Sequence, residues 1–374
     1  RHYTLCMKIC FLLNNLELGG AERVIAILSD YLVHHNCDVS IIVLNKLNNQ
    51  QALNPNIEII SLNQNKVLSS FLPLRNLLKK NKYDFIIGNM WPITILGLVA
   101  SFLSFKKSHI FFIEHSIISN EYNHQSFVFQ RILKSSIRFF YNFSSQIICV
   151  SNGVANDLQK LGVKKSKLKV ILNPVDIEPT PGDHDQYDQY SSNWKDFTGI
   201  KILSVGNLRK NKNYPNLFKA LKILRDKYNQ HFISLIAGDG PEKASLKLLI
   251  QEYDLEDQVI LLGEVQYTEG LYRNADLFVL SSDYEGFGMV LVEALGYGKT
   301  IVATDCESGP REILGNSEHG YLCSVDSPER LAESIYEAYL NKLSPDILLA
   351  RYNDFDISLI GKKYLSLMQK MQSD

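Results

Sequence analysis

Residues Leu277–Gly298 read LFVLSSDYEGFGMVLVEALGYG. LFVLSS is an apolar run of strand length, DYEGFG is a glycine loop, and MVLVEALGYG opens a helix. Gly288, Met289 and Val290 then present helix N-terminal amides, which suit phosphate. Glu285 lies on the loop before them, beside Gly286 and Phe287, and Glu293 falls about a turn and a half into the helix. Acids seldom sit in such an apolar run without a partner. A carboxylate here repels phosphate, but it accepts hydrogen bonds from sugar hydroxyls such as a ribose diol. Two plainer readings stand beside this one. Glu293 pairs with a nearby cation such as Lys299, and Glu285 helps to cap the helix.

The same strand–helix alternation runs along the chain. KICFLL, VSIIVL, IEIISL, DFIIG, HIFFIE, QIICVS and KVIL precede a gap, and KILSVG, FISLIAG, QVILLG, LFVLSS and TIVATD follow it. Helical patterns such as AERVIAILSDYLVHH and NLFKALKILRDKY lie between them. This predicts an α/β protein with two doubly wound parallel sheets. The gap, Pro174–Gly199, is rich in Pro, Asp, Tyr and Ser and reads as an exposed linker. The expected domains are 1–175 and 199–350, with the linker at 176–198 and a C-terminal helix at 351–374 packing toward the first domain. Two such domains place a cleft between their strand C-terminal ends, where open α/β sheets bind ligands.

Length and composition agree with two globular domains: 374 residues, 45% hydrophobic and 21% charged. The net charge of -1 hides an asymmetry, because residues 1–173 carry 19 Lys+Arg against 9 Asp+Glu. A basic half suggests an anionic surface or ligand. The six cysteines form no C-x-x-C pair and read as buried free thiols of a reducing cytoplasm. The N-terminal RHYTLCMKICFLL lacks a small-residue cleavage site, so no signal peptide is expected. Phe85–Phe105 is long and uncharged enough to span a bilayer, but Gly88, Asn89 and Pro92 divide it into a strand and a helix.

Other strand ends carry candidate groups. Gly19 and Gly20 precede a helix that Ala21 or Glu22 begins, and they let backbone approach a phosphate. This is not G-x-G-x-x-G, which argues against a nicotinamide dehydrogenase. HIFFIE ends at Glu114 and His115. In KILSVGNLRKNKNYPNLF, Gly206 and Asn207 lead into Arg209, Lys210 and Lys212, cations suited to a diphosphate or simply solvated. AGDGP places Gly238 in a tight turn.

Together these segments resemble the retaining glycosyltransferases of the GT-B fold, family 4 type. Glu285-GFGMVLV-Glu293 looks like the family's E-x7-E motif, and GGAERV, VGNLRKNKN, AGDGP and LYRNADLFVLSS resemble other family segments in family order. SGPREIL (Ser308–Leu314) resembles a variant found among bacterial surface-polysaccharide and lipid-linked oligosaccharide transferases. The resemblance implies two domains facing across a cleft and transfer of a hexose or N-acetylhexosamine from a nucleotide sugar, with UDP the expected nucleotide. It implies a glycan or glycolipid acceptor such as a lipopolysaccharide or capsule precursor, no metal, and no nucleic-acid partner. Gly20 would lie against the diphosphate, and Arg209 and Lys212 would bind its phosphates. Glu285 would contact the transferred sugar, Glu293 the ribose, and the Gly288, Met289 and Val290 amides the diphosphate and sugar. His115 would sit near the reacting carbon. One departure is Asn207, where the family often has Arg; Arg209 stands two positions on. Asp183-His184-Asp185 is a D-x-D in the acidic linker and reads as solvated loop.

A non-catalytic donor-binding subunit on the same fold is the alternative; buried acids opposite cations favour the enzyme. Ser126–Phe143, SFVFQRILKSSIRFFYNF, combines Arg131, Lys134 and Arg138 with five Phe and no acid. Such a segment either docks on the anionic inner face of the cytoplasmic membrane or packs its Phe side inward. The expected location is the cytoplasm, with peripheral contact at that membrane.

Overall fold

The computed structural model describes residues 6–16, 19–46, 53–177, 190 and 192–373. The chain forms two compact units, Arg1–Val175 with Phe355–Asp374, and Asp176–Asp354.

The first unit holds seven strands: β1 Lys8–Leu13, β2 Asp38–Val43, β3 Glu58–Ser61, β4 Phe85–Asn89, β5 His109–Glu114, β6 Gln146–Cys149 and β7 Leu168–Val170. All neighbours pair in parallel, in the order β3-β2-β1-β4-β5-β6-β7. The central strands are buried on both faces, so Ile9–Leu12 and Ile110–Ile113 are continuous apolar runs. The order reverses between β1 and β4, a switch point where a crevice opens beyond the strand ends. The first helix is Gly20–His34, one residue earlier than expected, with Gly19 in extended backbone as its N-cap. The last helix, Ile357–Ser373, belongs to this unit. Its Gly361 packs on the Tyr31 ring of the first helix, where a Cβ would come within 2.5 Å.

Phe85–Asn89 and Ile93–Phe102 are a strand and a ten-residue helix. At 1.5 Å per residue that helix is about 15 Å long, half a bilayer core. Among the described residues no helix is long and apolar enough to cross a membrane.

The second unit holds β8 Ile200–Val205, β9 Phe232–Ala237, β10 Val259–Gly263, β11 Leu277–Leu280, β12 Thr300–Thr304 and β13 Tyr321–Cys323. Its parallel order is β10-β9-β8-β11-β12-β13, so β8 and β11 flank the switch point. The helix Tyr214–Asp226 buries Leu217, Phe218, Leu221 and Leu224 on this sheet. Each such side chain contributes about 1.5–3 kcal/mol on burial.

Two expectations change. Trp194 lies in the stretch read as exposed linker, yet it is fully buried and its indole N–H donates to the Ile233 carbonyl at 3.0 Å. Its large apolar ring outweighs the polar neighbours that set the local reading. Cys6 is exposed, whereas the other five cysteines are buried; all six are free thiols. Asp183-His184-Asp185 lies outside the described residues.

Candidate active site

The cationic loop after β8 and the glutamate loop after β11 emerge side by side because their strands are neighbours. Arg209 and Asn207 are exposed, and Lys210–Lys212 form a single 3₁₀ turn. Asn213 then adopts the left-handed region (φ 43°), and its side chain caps the helix Tyr214–Asp226 by accepting from the Asn216 N–H at 3.2 Å. Pro215 at the helix start completes that signal.

Three bonds clamp the two loops together. Asn213 Nδ2 donates to Asp283 Oδ1 at 2.6 Å, Ser281 Oγ to the Lys212 carbonyl at 2.8 Å, and the Asp283 N–H to the Asn211 carbonyl at 2.8 Å. Lys212 Nζ is thereby brought within 2.6 Å of Glu285 Oε1, with side chains only 16% and 10% exposed. Ser282 Oγ donates to the same carboxylate oxygen at 2.6 Å. A nearly buried ion pair contributes little net stability, because desolvation offsets the attraction, so its presence points to use rather than support. Among the described residues Arg209 has no carboxylate partner.

The glycine loop is held from behind. Ser308 Oγ donates to the Gly286 carbonyl at 3.0 Å, and a Cβ on Gly309 would lie 1.9 Å from the Phe287 carbonyl oxygen. Gly309 (φ 88°) is therefore glycine for two reasons, room and conformation. Phe287 is buried. Gly288 (φ 97°, ψ 56°) is the N-cap that turns the chain into the helix Met289–Gly296, a conformation a side chain would strain. The first amides of this helix, at Met289 and Val290, have no intrahelical acceptor. Beside them the Gly206 N–H donates to the Ala237 carbonyl and the Leu208 N–H to the Asp239 carbonyl, each at 2.9 Å. These bonds set Gly206 and Asn207 against the Gly238 turn.

Glu293 is 8% exposed and accepts from the Tyr272 hydroxyl at 2.9 Å. The Glu293–Lys299 pairing is not formed. Lys299 Nζ instead donates to the Arg273 and Ala275 carbonyls, at 2.7 and 3.0 Å. Those carbonyls end the helix Glu269–Asn274, so Lys299 meets the negative end of a helix rather than a carboxylate. Glu285 makes no capping bond either; Gly288 caps by backbone alone.

His115, Gly19 and Gly20 belong to the first unit. His115 follows β5, and both its ring nitrogens are shielded from solvent without a hydrogen-bond partner among the described residues. Burial pushes its pKa down to about 4, so the ring is neutral at pH 7. Glu114 beside it is fully buried, and desolvation raises its pKa to about 8. The Tyr141 hydroxyl donates to this carboxyl, while its Oε2 has no partner among the described residues. Glu22 folds over the first turn of its helix, with Oε2 2.2 Å from where a Gly19 Cβ would sit. That carboxylate weighs against a bare phosphate cradle at Gly19 and Gly20.

Sequence reasoning missed Tyr272, Ser282, Asp283 and Ser308, which have ordinary local patterns. Asn213 was findable as a helix cap before Tyr-Pro. Among the described residues no grouping of three or more His, Cys, Asp or Glu could hold a metal ion.

Two doubly wound units, one with cations, acids and helix amides meeting at its switch point, define the GT-B class of glycosyltransferases. A glycosyltransferase family 4 model matches residues 18–179, and a glycosyl transferases group 1 model matches residues 191–352. Together the two models span most of the chain, which carries a glycosyltransferase family 4 domain followed by a glycosyl transferases group 1 domain. It is 27% identical over 342 residues to the amylovoran biosynthesis glycosyltransferase AmsD of Erwinia amylovora, covering 90% of each chain. It is 26% identical over 384 residues to an alpha-1,4-N-acetyl-D-galactosaminyltransferase of Campylobacter jejuni whose acceptor is linked to PP-undecaprenol, covering 98% of this chain and 99% of that one. Its fold matches the crystal structure of Anabaena HepE in complex with UDP and glucose, with a TM-score of 0.78, 21% identity, and 97% and 100% of the two chains covered.

Proposed function

We propose that this enzyme transfers a hexose or N-acetylhexosamine from a UDP-sugar to a growing surface polysaccharide or lipid-linked oligosaccharide, with retention at the anomeric carbon. The observation that carries this reading is the Lys212–Glu285 pair, held at 2.6 Å beside the N-terminus of the helix Met289–Gly296. The UDP held by HepE and the PP-undecaprenol acceptor of the Campylobacter relative support the donor and acceptor classes.

Each group has a role in this reading. In the second unit, Arg209, Lys212 and the Gly288, Met289 and Val290 amides take the diphosphate. They stabilise the charge that develops on it as the C1–O bond breaks. Gly206, Asn207, Gly238, Gly286 and Phe287 shape the loops around it. Glu285, already bonded by Lys212 and Ser282, accepts from hydroxyls of the transferred sugar, and Glu293 accepts from the ribose. In the first unit, which takes the acceptor, neutral His115 serves as a hydrogen-bonding group near the reacting carbon rather than as a cation. The acceptor oxygen attacks from the face the UDP leaves, and its proton passes to the departing phosphate. No metal is required, because the cations and amides supply the positive charge.

A thermal-shift screen of UDP-, GDP- and ADP-sugars tests the donor. The true donor raises the melting temperature in proportion to ln(1 + [L]/Kd). Equal response to all three bases sinks the UDP assignment. Proton NMR of the product's anomeric linkage, set against that of the donor, tests retention.

A second observation extends the reading to the membrane. In the helix Phe127–Phe140, only Leu133 and Ile137 are buried, while Phe127, Ile132 and Phe139 are 72%, 62% and 60% exposed beside exposed Arg131, Lys134 and Arg138. Apolar and basic groups together on one free surface suit an anionic bilayer, which brings the enzyme to a lipid-linked acceptor. Vesicles containing phosphatidylglycerol should sediment the protein at low salt and release it at high salt. No sedimentation at low salt removes this extension.

A further inference from the structure

The helix Glu269–Asn274 lies outside every residue assigned above, yet its Tyr272 reaches into the donor side of the second unit. The Tyr272 ring is fully buried. It stacks on Phe278 of β11 (centroids 5.6 Å apart, 24° between planes) and on Tyr297, just past the helix Met289–Gly296 (5.1 Å, 11°). Tyr297 is covered in turn by the Arg273 guanidinium, 5.7 Å from its centroid, and Arg273 is bonded to Glu269 at 2.7 Å. Packing therefore sets the ring's position without help from its hydroxyl.

A phenylalanine would fill this stack equally well. The hydroxyl costs free energy on burial unless it is bonded. Its acceptors are Glu293 Oε2 at 2.9 Å and the Val290 carbonyl at 3.3 Å, three positions apart on one helix face. One hydroxyl thus ties the carboxylate to the first turn of the helix that offers its amides.

We propose that Tyr272 is a positioning residue of the donor site, whose hydroxyl presets the Glu293 carboxylate for the ribose diol. This rests on the reading of Glu293 as the ribose ligand. A carboxylate aimed in advance loses less rotamer freedom when the nucleotide binds, so its bond to the diol contributes more to affinity.

The test is calorimetric. Dissociation constants of UDP, 2′-deoxy-UDP and 3′-deoxy-UDP are measured for wild type, Tyr272→Phe and Glu293→Ala, with thermal melts as the folding control. Wild type should prefer UDP over at least one deoxy ligand by about tenfold, the worth of a hydrogen bond to a charged group. Glu293→Ala should bring that ratio to about one. Tyr272→Phe should cut it to about threefold or less while melting near the wild-type temperature. A Tyr272→Phe ratio equal to wild type overturns the inference and leaves the ribose reading intact. So does equal weakening of all three ligands, which a merely structural role would give. Absence of discrimination in wild type itself overturns the ribose reading and this inference with it.

Discussion

The two units handle buried polar groups at their strand ends in opposite ways. After β8 and β11, Lys212 and Glu285 form an ion pair at 2.6 Å, with Ser282 completing the carboxylate's bonds. At the end of β5, Glu114 and His115 have no counter-ion among the described residues. Desolvation raises the acid's pKa to about 8 and lowers the imidazole's to about 4, so both are driven toward neutrality. One end is ionic and suits a diphosphate. The other is neutral and suits hydroxyl groups. The difference lies in what packs against each strand end. Neighbouring loops in the second unit bring opposite charges together, whereas Glu114 meets the Tyr141 hydroxyl.

The most severe way to break this contrast is Lys212→Met. It leaves Glu285 nearly buried without its cation, which should cost about 3–5 kcal/mol of stability in urea unfolding. Turnover with the identified donor should fall at least about tenfold, or 1.4 kcal/mol of transition-state stabilisation. Adding Glu285→Gln should recover much of the stability and none of the turnover. Wild-type stability in the single variant would mean that the ionic description of this site is wrong.

The neutral end is probed by pH. Glu114 has a folded pKa raised from its ordinary 4.5 to about 8. Its contribution to stability is therefore full below pH 4.5 and is lost as pH rises through about 8. Between pH 5 and 9 the wild type should lose roughly 2–4 kcal/mol relative to Glu114→Gln, whose stability should be flatter over that span. His115 works in the opposite sense. Its pKa is lowered from 6.5 to about 4, so its contribution is full above pH 6.5 and is lost as pH falls through 4. His115→Gln should blunt that acid-side loss. Parallel stability curves for wild type and Glu114→Gln would show that this carboxyl titrates normally.

The smallest expected effect sharpens the ionic side. Gly309→Ala places a Cβ against the Phe287 carbonyl at a left-handed φ of 88°. It should cost about 1–3 kcal/mol and raise the donor KM by several-fold while changing kcat little. An unchanged KM would mean that Gly309 does not set the glycine loop.

Much of this site was legible in a single reading of the chain. The eight-residue separation of Glu285 and Glu293, the glycines between them and the apolar run on either side identify a strand–loop–helix unit. Asn213 before Tyr-Pro marks a helix start. Partners were not legible. Lys299 looked like the cation for Glu293 because it is near in sequence, but its bonds go to the end of the helix Glu269–Asn274, and Glu293 meets Tyr272, 21 positions away. Lys212 and Glu285 are 73 positions apart. They meet because β8 and β11 are neighbours, a fact of strand order that periodicity does not carry. Trp194 was hidden among polar neighbours, and only the sheet it packs on makes it core.

What the sequence by itself determined is local: periodicity, caps and glycines specify each strand, loop and helix because backbone preferences act over a few residues. The tertiary structure alone decided which strand ends share a switch point, and hence which charges are paired and which are neutralised. Desolvation and Coulomb attraction depend on distances that exist only after the sheets have formed.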